Sequence, residues 1–194
     1  MIDNLHLIKP LLIFESEDDF YKLEVLQRKK ENDKVGSNSR IIKNYFIGSI
    51  EYLEQKYEEI KTLCNVFNAR AYIRLNKRSY EKVAFKTMVN VANQMSNRDY
   101  KSVSRAYESA CGQSSNQKED KRWIIDLDVQ DLELINKIKD TLYNLEPIGD
   151  KFKVIIPSKN GFHIISNPFN VQQFGMYNFP VEIHKDNPSN LFIP

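Results

Sequence analysis

The sequence has few of the residues that build disulfide frameworks, zinc clusters or membrane spans. Its 194 residues include only two cysteines, Cys64 and Cys111, which form no CxxC pair; a disulfide framework is disfavoured and zinc is not expected. No apolar segment approaches the roughly 20 residues that span a bilayer. The N-terminal stretch "MIDNLHLIKPLLIFESEDD" lacks the basic region of a signal peptide. We therefore expect a protein of the reducing cytosol, away from membranes.

Charge of one sign is not in excess either. The net charge is +2, so no global field points to nucleic acid. Basic residues cluster locally in "QRKK" at 27–30, "NKR" at 76–78 and "KEDKR" at 118–122, a pattern shared by solvated surfaces and nucleic-acid binding sites. The six glycines contain no GxxxxGK[ST] motif, which disfavours a P-loop enzyme. No nucleophile elbow stands out, which disfavours a serine hydrolase.

The order of predicted elements indicates one α+β domain covering 1–194. Apolar spacing predicts helices over 18–32, 49–63, 79–95, 99–112 and 130–145. β-rich runs predict strands over 69–75, 122–128, 152–158, 161–166, 179–185 and 190–194, the last two as a terminal hairpin. The N-terminal part, 1–66, is then mainly helical. The remainder, 67–194, carries a mixed, largely antiparallel sheet in a two-layer arrangement.

Two acidic residues stand at the end of an apolar strand in "KRWIIDLDVQD", residues 121–131. Side chains alternate along a strand, so Asp126 and Asp128 share one face, with Cα atoms roughly 6.5–7 Å apart. Like charges this close repel each other unless a cation lies between them. Hard divalent ions such as Mg²⁺ or Mn²⁺ take carboxylate ligands. The alternative is a pair of solvated acids, one of which caps the following helix.

A second stretch, "IIPSKNGFHIIS", combines groups that suit a triphosphate. Ser158, Lys159 and Asn160 supply a hydroxyl, a cation and an amide just before Gly161, which permits a sharp turn. His163 follows on the next strand and adds an imidazole N–H. These groups, with exposed backbone amides, are typical of phosphate binding. The alternative is an ordinary hairpin turn with a half-buried histidine.

A third stretch, "FPVEIHKDNPS", supplies one more carboxylate. On a strand Glu182 shares a face with His184, and Glu182 is the predicted third metal ligand. Asp186 lies on the same face if the strand continues, and it is the second choice. The alternative is a surface ion pair, which is the more common role of such residues.

Together, "WIIDLD", "SKNGFH" and "VE" resemble, in order and spacing, the three motifs of the archaeo-eukaryotic primase (AEP) superfamily, with the compact phage or plasmid primase-polymerases most similar. The motifs span about residues 120–194. The resemblance implies an RRM-like catalytic core and template-directed transfer of nucleotides to a 3′-hydroxyl. It implies two Mg²⁺ or Mn²⁺ ions, roughly 3.5–4 Å apart, held by Asp126, Asp128 and Glu182. His163, Ser158, Lys159 and Asn160 would bind the triphosphate.

The partners implied by the resemblance are a single-stranded DNA template, a primer strand and deoxy- or ribonucleoside triphosphates. A separate replicative helicase is a further candidate partner. The implied compartment is the cytoplasm of a bacterial cell or of a phage-infected host. Candidate nucleic-acid-binding residues around the 69–75 strand are Arg70, Arg74, Lys77 and Arg78. The polar loop at 113–121, with Lys118 and Lys121, is a further candidate beside the site.

The same residues are also compatible with two other functions. A metal-dependent nuclease would use similar carboxylates together with a lysine, for which Lys185 is the candidate beside Glu182. A non-catalytic nucleic-acid-binding module on an RRM-like sheet would present aromatic side chains for base stacking. Tyr72 and Phe162 are the candidates for that role, although aromatic residues at such positions more often belong to the core.

Overall fold

The protein is described by a computed structural model over residues 1–31, 38–113 and 121–194. The strands in these ranges are β1 (Ile2–Asp3), β2 (Asp19–Gln27), β3 (Arg40–Ile47), β4 (Arg70–Arg74), β5 (Arg78–Ser79), β6 (Trp123–Leu127), β7 (Phe152–Pro157), β8 (Phe162–Ser166), β9 (Glu182–His184) and β10 (Pro188–Ile193). The α-helices are α1 (Leu5–Ile8), α2 (Ile50–Phe67), α3 (Tyr80–Ser96), α4 (Ala106–Gln113), α5 (Leu132–Asn144) and α6 (Val171–Gly175). Short 3₁₀ helices cover Lys9–Leu11, Lys29–Glu31 and Tyr100–Arg105.

The first sheet joins the two ends of the described chain. Its strand order is β1-β10-β4-β2-β3, and β5 also pairs with β2. Helix α2 begins after Ser49, whose side chain accepts a hydrogen bond from the backbone N–H of Tyr52, as an N-cap should. The helix buries Leu53 and Ile60 in the same hydrophobic cluster as Leu23 of β2. Burial of this apolar stripe holds α2 on the sheet.

The second sheet has the order β7-β8-β6-β9 and carries the sequence motifs. Helix α5 is capped by Asp131, whose side chain accepts from the backbone N–H of Leu134. Its buried face, which includes Ile135 and Ile138, forms one cluster with Ile125 of β6 and Ile164 of β8. The helix therefore covers one face of this sheet and leaves the opposite face to contact the first sheet.

Alternation along β6 divides its side chains between the two sides. Ile125 packs with α5, whereas Ile124, together with Ile156 and Ile165, belongs to the cluster of the first sheet. Asp126 is two residues beyond Ile124 and shares its face. The two sheets thus pack together through apolar residues, and the acidic end of β6 lies where this contact opens into a cleft.

The predicted α+β class is confirmed, and every ladder between described strands is antiparallel. The helices predicted over 49–63, 79–95 and 130–145 are present within a few residues at each end. The segment 99–112 forms a 3₁₀ turn and then α4. Ser79 caps α3 as expected, accepting from the backbone N–H of Lys82.

The helix predicted over 18–32 is wrong, because most of that segment forms strand β2. This strand lies between β4 and β3 and its first five residues are all buried. A strand buried on both faces loses the alternation that identifies strands in a sequence. The prediction of a mainly helical part over 1–66 therefore missed two long strands, β2 and β3.

The division at residue 66 and the terminal hairpin are also not as predicted. Strand β4 and the last strand, β10, pair with each other and belong to the first sheet. Strand β9 pairs with β6 instead of β10. The two strands predicted as a hairpin therefore lie in different sheets, and the turn between them carries the chain from one sheet to the other.

Candidate active site

A cleft of about 730 Å³ lies between the two sheets. This cleft is lined by all the residues that the sequence predicts for catalysis, metal binding and triphosphate binding. These residues are Asp126, Asp128, Ser158, Lys159, Asn160, His163 and Glu182. They come from three separate stretches of sequence. The fold brings these stretches together through strands β6, β8 and β9 and the β7–β8 turn.

The pairing register fixes the centre of the cleft. Asp126 on the central strand β6 is directly opposite His163 on β8 and directly opposite Glu182 on β9. Residues paired across antiparallel strands project to the same face. The Nε2 atom of His163 lies 3.5 Å from Oδ1 of Asp126. One carboxylate thus has an imidazole on one side and a second carboxylate on the other.

His184 is a second histidine in this group that the sequence placed on the face of Glu182 without assigning a role. Its Nε2 atom lies 3.5 Å from Oε2 of Glu182 and 3.9 Å from Oδ2 of Asp126. It is opposite Ile124 in the β6–β9 ladder. The same alternation that placed Glu182 in the site could have identified His184 as a contact between the two carboxylates.

Burial and like charge both act on Asp126. Burial raises the pKa of the Asp126 carboxyl, and the negative charges of Asp128 and Glu182 add to the rise, while His163 and His184 oppose it. Because burial and like charge disfavour the ionised form, a cation that enters the cleft would stabilise the Asp126 carboxylate. The pattern is typical of functional sites.

His163 is buried beside Asp126. Burial lowers the pKa of its imidazole, His184 lowers it further, and Asp126 opposes the change. Its Nδ1 atom lies 3.0 Å from the hydroxyl oxygen of the buried Ser189. A neutral imidazole has one N–H. The Nε2 atom lies toward Asp126 and is also 3.5 Å from Nδ2 of the Asn190 amide, so the tautomer decides whether Nε2 donates or accepts.

The β7–β8 turn is held against the end of β6 by the absence of a side chain at Gly161. A Cβ atom there would lie 1.9 Å from the backbone oxygen of Leu127 and 2.8 Å from the backbone nitrogen of Val129. The Ser158 hydroxyl accepts a hydrogen bond from the Gly161 N–H at 3.1 Å. Glycine therefore allows the Ser158–Gly161 turn to touch the backbone on either side of Asp128.

The cations lining the cleft, within the described ranges, are Arg28, Lys30, Arg70 and Lys159. Arg28 and Lys30 lie at the end of β2, inside the "QRKK" cluster that the sequence left as surface or nucleic-acid contact. Glu31 lies among them and accepts hydrogen bonds from Arg70 and Lys159. Burial disfavours the ionised Glu31 carboxylate, but these two cations outweigh it and lower its pKa.

The second choice for the third acid, Asp186, is outside the cleft lining. Its Oδ2 atom lies 2.5 Å from the Arg78 guanidinium, and its Oδ1 accepts from the Asn76 amide at 2.9 Å. Arg74 contacts the same residue. Asp186 therefore pairs with the buried Arg78 at the edge of the protein, and Glu182 is the third acid that geometry places with Asp126.

Most of the predicted nucleic-acid-binding cations are engaged inside the protein. Arg78 is fully buried, and Lys77 has 2% of its side chain exposed and pairs with Glu15 and Asp19. The prediction is wrong for these two residues, since a nucleic-acid strand cannot reach them. Arg74 is paired with Asp186. Arg70 alone of the predicted four lines the cleft.

The remaining candidate residues also divide into those that line the cleft and those that lie away from it. The Lys185 ammonium lies 5.1 Å from the centre of the Trp123 ring, which packs with the α5 cluster, away from the cleft. Phe162 also packs with that cluster, whereas Tyr72 lines the cleft. Lys121 is absent from the described cleft lining. Lys118 lies outside the residues that the structure describes.

The acidic side chains supply carboxylate oxygens, which are the donors that Mg²⁺ and Mn²⁺ prefer. Burial is the main cause of the raised pKa of Asp126, and the negative charges of Asp128 and Glu182 add to it. Over residues 1–31, 38–113 and 121–194, no three His, Cys, Asp or Glu side chains converge closely enough to enclose a metal ion. The carboxylates thus line the cleft without enclosing a metal site.

The two cysteines are remote from this chemistry. Cys64 and Cys111 are both buried and unpaired, in separate hydrophobic clusters. Burial raises the pKa of the Cys64 thiol to about 12. Neither cysteine lines the cleft, so both act as small apolar side chains.

Comparison of the chain with protein-family models, with curated proteins and with solved structures finds no match. Among the helices of the described ranges, none combines the length and the apolar character that a membrane span requires.

Proposed function

We propose that this chain is a nucleotidyltransferase of the primase-polymerase type, which adds nucleotides to a 3′-hydroxyl on a nucleic-acid template. The observation that carries the proposal is the register of β6, in which Asp126 is opposite both His163 and Glu182. The acids of the first and third motifs and His163 of the second motif meet in one cleft. The Ser158–Gly161 turn, which is predicted to bind the triphosphate, lines the same cleft. In this proposal the second sheet, with α5 on one face, serves as the RRM-like core.

The residues that would hold divalent cations are Asp126, Asp128 and Glu182, with Mg²⁺ or Mn²⁺ as the ion. Such ions, when bound, activate the attacking 3′-hydroxyl and neutralise charge on the leaving pyrophosphate. Asp126 is half-buried between His163 and Glu182, whereas the Glu182 side chain is exposed and contacts His184. This division of burial lets one carboxylate set the position and the other follow the ligand.

The other side chains of the cleft bind and orient the nucleotide. His163 donates its Nε2–H to a phosphate oxygen in the tautomer whose Nδ1 accepts from the Ser189 hydroxyl, 3.0 Å away. Lys159 supplies positive charge, and the turn can offer the backbone N–H groups of Lys159 and Asn160, because those of Ser158 and Gly161 donate within the turn. Tyr72 is the cleft aromatic available for stacking on a base. Donors fixed in this way need no reorganisation as charge develops.

The test is a primer-synthesis and primer-extension assay with Mg²⁺ or Mn²⁺, run separately with deoxy- and ribonucleoside triphosphates on a single-stranded DNA template. Wild-type protein should incorporate nucleotides only with a divalent cation. The Asp126→Asn/Asp128→Asn double variant should lose incorporation by at least about 100-fold, since electrostatic positioning carries most of the rate. Asp140→Asn, a charge-matched change on the exposed face of α5, should have no effect.

A double variant that incorporates nucleotides like wild type would refute the proposal. Cleavage of the template or primer without incorporation would instead favour the nuclease. That alternative has lost its candidate lysine, because Lys185 lies over Trp123 outside the cleft. Template binding without metal affinity or incorporation would favour the non-catalytic module.

A further inference from the structure

Among the described residues, Glu31 is the one acid in the part of the cleft that is lined by Lys30, Arg70 and Lys159. It lies at the end of the 3₁₀ turn Lys29–Glu31, beside the cleft-lining Lys30. Asp126, Asp128 and Glu182 all belong to the second sheet or its strand ends, whereas Glu31 follows β2 of the first sheet. The predicted function assigns no role to an acid at this position.

One oxygen of Glu31 receives both nearby cations. Its Oε1 atom accepts from the Lys159 ammonium at 3.0 Å and from Nη2 of Arg70. The Glu31 side chain is 20% exposed and that of Arg70 is 5% exposed, so the contact is largely shielded from water. An anionic oxygen that accepts two charged donors in a shielded cleft is in the position that a phosphate oxygen would occupy.

Arg70 retains binding capacity that Glu31 does not use. Its Nε atom is buried and has no hydrogen-bond partner among the described residues. A guanidinium binds a phosphate best through two parallel N–H groups. Glu31 is held through Nη2 alone. An incoming phosphate that engages both Nε and Nη2 would satisfy the buried donor that the carboxylate leaves unpaired.

Space for the displaced carboxylate exists on the far side of the same contact. A second cavity of about 460 Å³ is lined by Glu31, Arg70 and Lys159 together with both chain ends, including Met1 and Pro194. These three residues, together with Lys30, line both this cavity and the larger cleft. A Glu31 side chain turned into the second cavity would leave Arg70 and Lys159 open to the cleft.

We propose that Arg70 and Lys159 form an anion subsite for the polyphosphate of a nucleotide, and that the Glu31 carboxylate occupies this subsite when the nucleotide is absent. Glu31 is then a competitor built into the chain, which lowers the affinity for free triphosphate. It also neutralises two cations that would otherwise repel each other. The identification of the anion as a nucleotide triphosphate rests on the proposed function.

The experiment measures binding of inorganic tripolyphosphate by titration calorimetry, in low-salt buffer with a chelator and no divalent cation. Glu31→Gln should bind tripolyphosphate about tenfold more tightly than wild type, because the competing charge is removed while the side-chain size is kept. Glu54→Gln is the matched control, since Glu54 also pairs with a lysine, Lys9, on the exposed surface. It should bind like wild type.

A third variant assigns the gain to the subsite. Glu31→Gln/Lys159→Met should return to wild-type affinity or below, and Lys159 is 57% exposed, so this change leaves the fold intact. Equal affinities for Glu31→Gln and Glu54→Gln would overturn the inference. Weaker binding by Glu31→Gln would also overturn it, by showing that Glu31 orients the cations instead of competing for them.

A single-stranded oligonucleotide is the second titrant. Tightening for the oligonucleotide alone would assign the subsite to the phosphodiester backbone and overturn the triphosphate assignment. Because these titrations contain no metal, they do not depend on Asp126 or Asp128. Tighter tripolyphosphate binding by Glu31→Gln, in a protein that incorporates no nucleotide, would uphold the subsite and refute the proposed function. Unchanged tripolyphosphate binding by Glu31→Gln, in a protein that does incorporate nucleotides, would refute the subsite and uphold the proposed function.

Discussion

The contact between Gly161 and the end of β6 can be tested by adding one methyl group. In Gly161→Ala the new Cβ would lie 1.9 Å from the backbone oxygen of Leu127, where ordinary contact begins at 3.4 Å. The turn and β6 must therefore separate by about 1.5 Å, in a region where both partners are backbone. The strain comes from close approach, since the nearest atoms are not the ends of flexible side chains.

The size of the effect follows from this displacement. Forced overpacking of backbone against backbone costs about 3 kcal/mol, at the upper end of small-to-large changes. For a chain of this length, each kcal/mol lowers Tm by about 2–4 °C. We expect Gly161→Ala to lower Tm by about 6–12 °C. At temperatures where it is folded, the shift of Asp128 relative to the turn should lower nucleotide incorporation by about 100-fold.

The assay is thermal unfolding followed by circular dichroism, with Gly112→Ala as the control. A Cβ at Gly112 meets nothing within 4 Å, and this residue lies in helix α4. Alanine there should leave Tm unchanged or raise it, because alanine has the higher helix propensity. If Gly161→Ala and Gly112→Ala melt at the same temperature as wild type, the turn is not held against β6 and the reasoning fails.

Two further changes test the electrostatics of the structure. Because the pKa of Asp126 in the folded protein lies above its usual 3.8, stability falls as the pH rises from below 3.8 through the folded-state value. Asp126→Asn should therefore resist urea better than wild type at pH 7 with a chelator present, with the gain vanishing near pH 3; lower stability at pH 7 would contradict the assigned shift. Asp186→Asn removes the charge facing the fully buried Arg78 guanidinium, and since Asp186 is partly exposed we expect a loss of about 2 kcal/mol in urea unfolding. An unchanged midpoint would show that Arg78 is stabilised by its backbone contacts alone.

The convergence of the motifs could be predicted because it depends on local periodicity and chain order. Alternation along a strand placed Asp126 with Asp128, and Glu182 with His184, on common faces. The short apolar runs around them identified the strands. The resemblance then indicated that the three strand ends meet, and Asp126, His163 and Glu182 do line one cleft.

The roles of the cations could not be predicted, because their partners are distant in sequence. Arg78 is buried by Asp186, which lies 108 residues further along the chain, and by the backbone of Cys111. A charged residue is normally expected at the surface. Only the tertiary structure shows that this one is enclosed and satisfied by acceptors from separate segments.

The cationic part of the cleft was missed for a related reason. The helix predicted over 18–32 placed Arg28 and Lys30 at a solvated helix end. Strand β2 is buried between β3 and β4, and it carries apolar and charged residues at buried positions alike, including the ion pair of Lys22 and Glu24. With the strand unrecognised, no local signal could bring Glu31 to Arg70.

The central claim is that the acids of β6 and β9 hold divalent cations against the phosphates of a nucleotide. The most direct measurement is a Mn²⁺ titration followed by electron paramagnetic resonance, in the presence of a non-hydrolysable nucleoside triphosphate. Wild-type protein and Asp140→Asn should each bind about two Mn²⁺ ions per chain. The Asp126→Asn/Asp128→Asn variant should bind none above the nucleotide alone. Equal Mn²⁺ binding by all three proteins, or by none of them, would contradict the account.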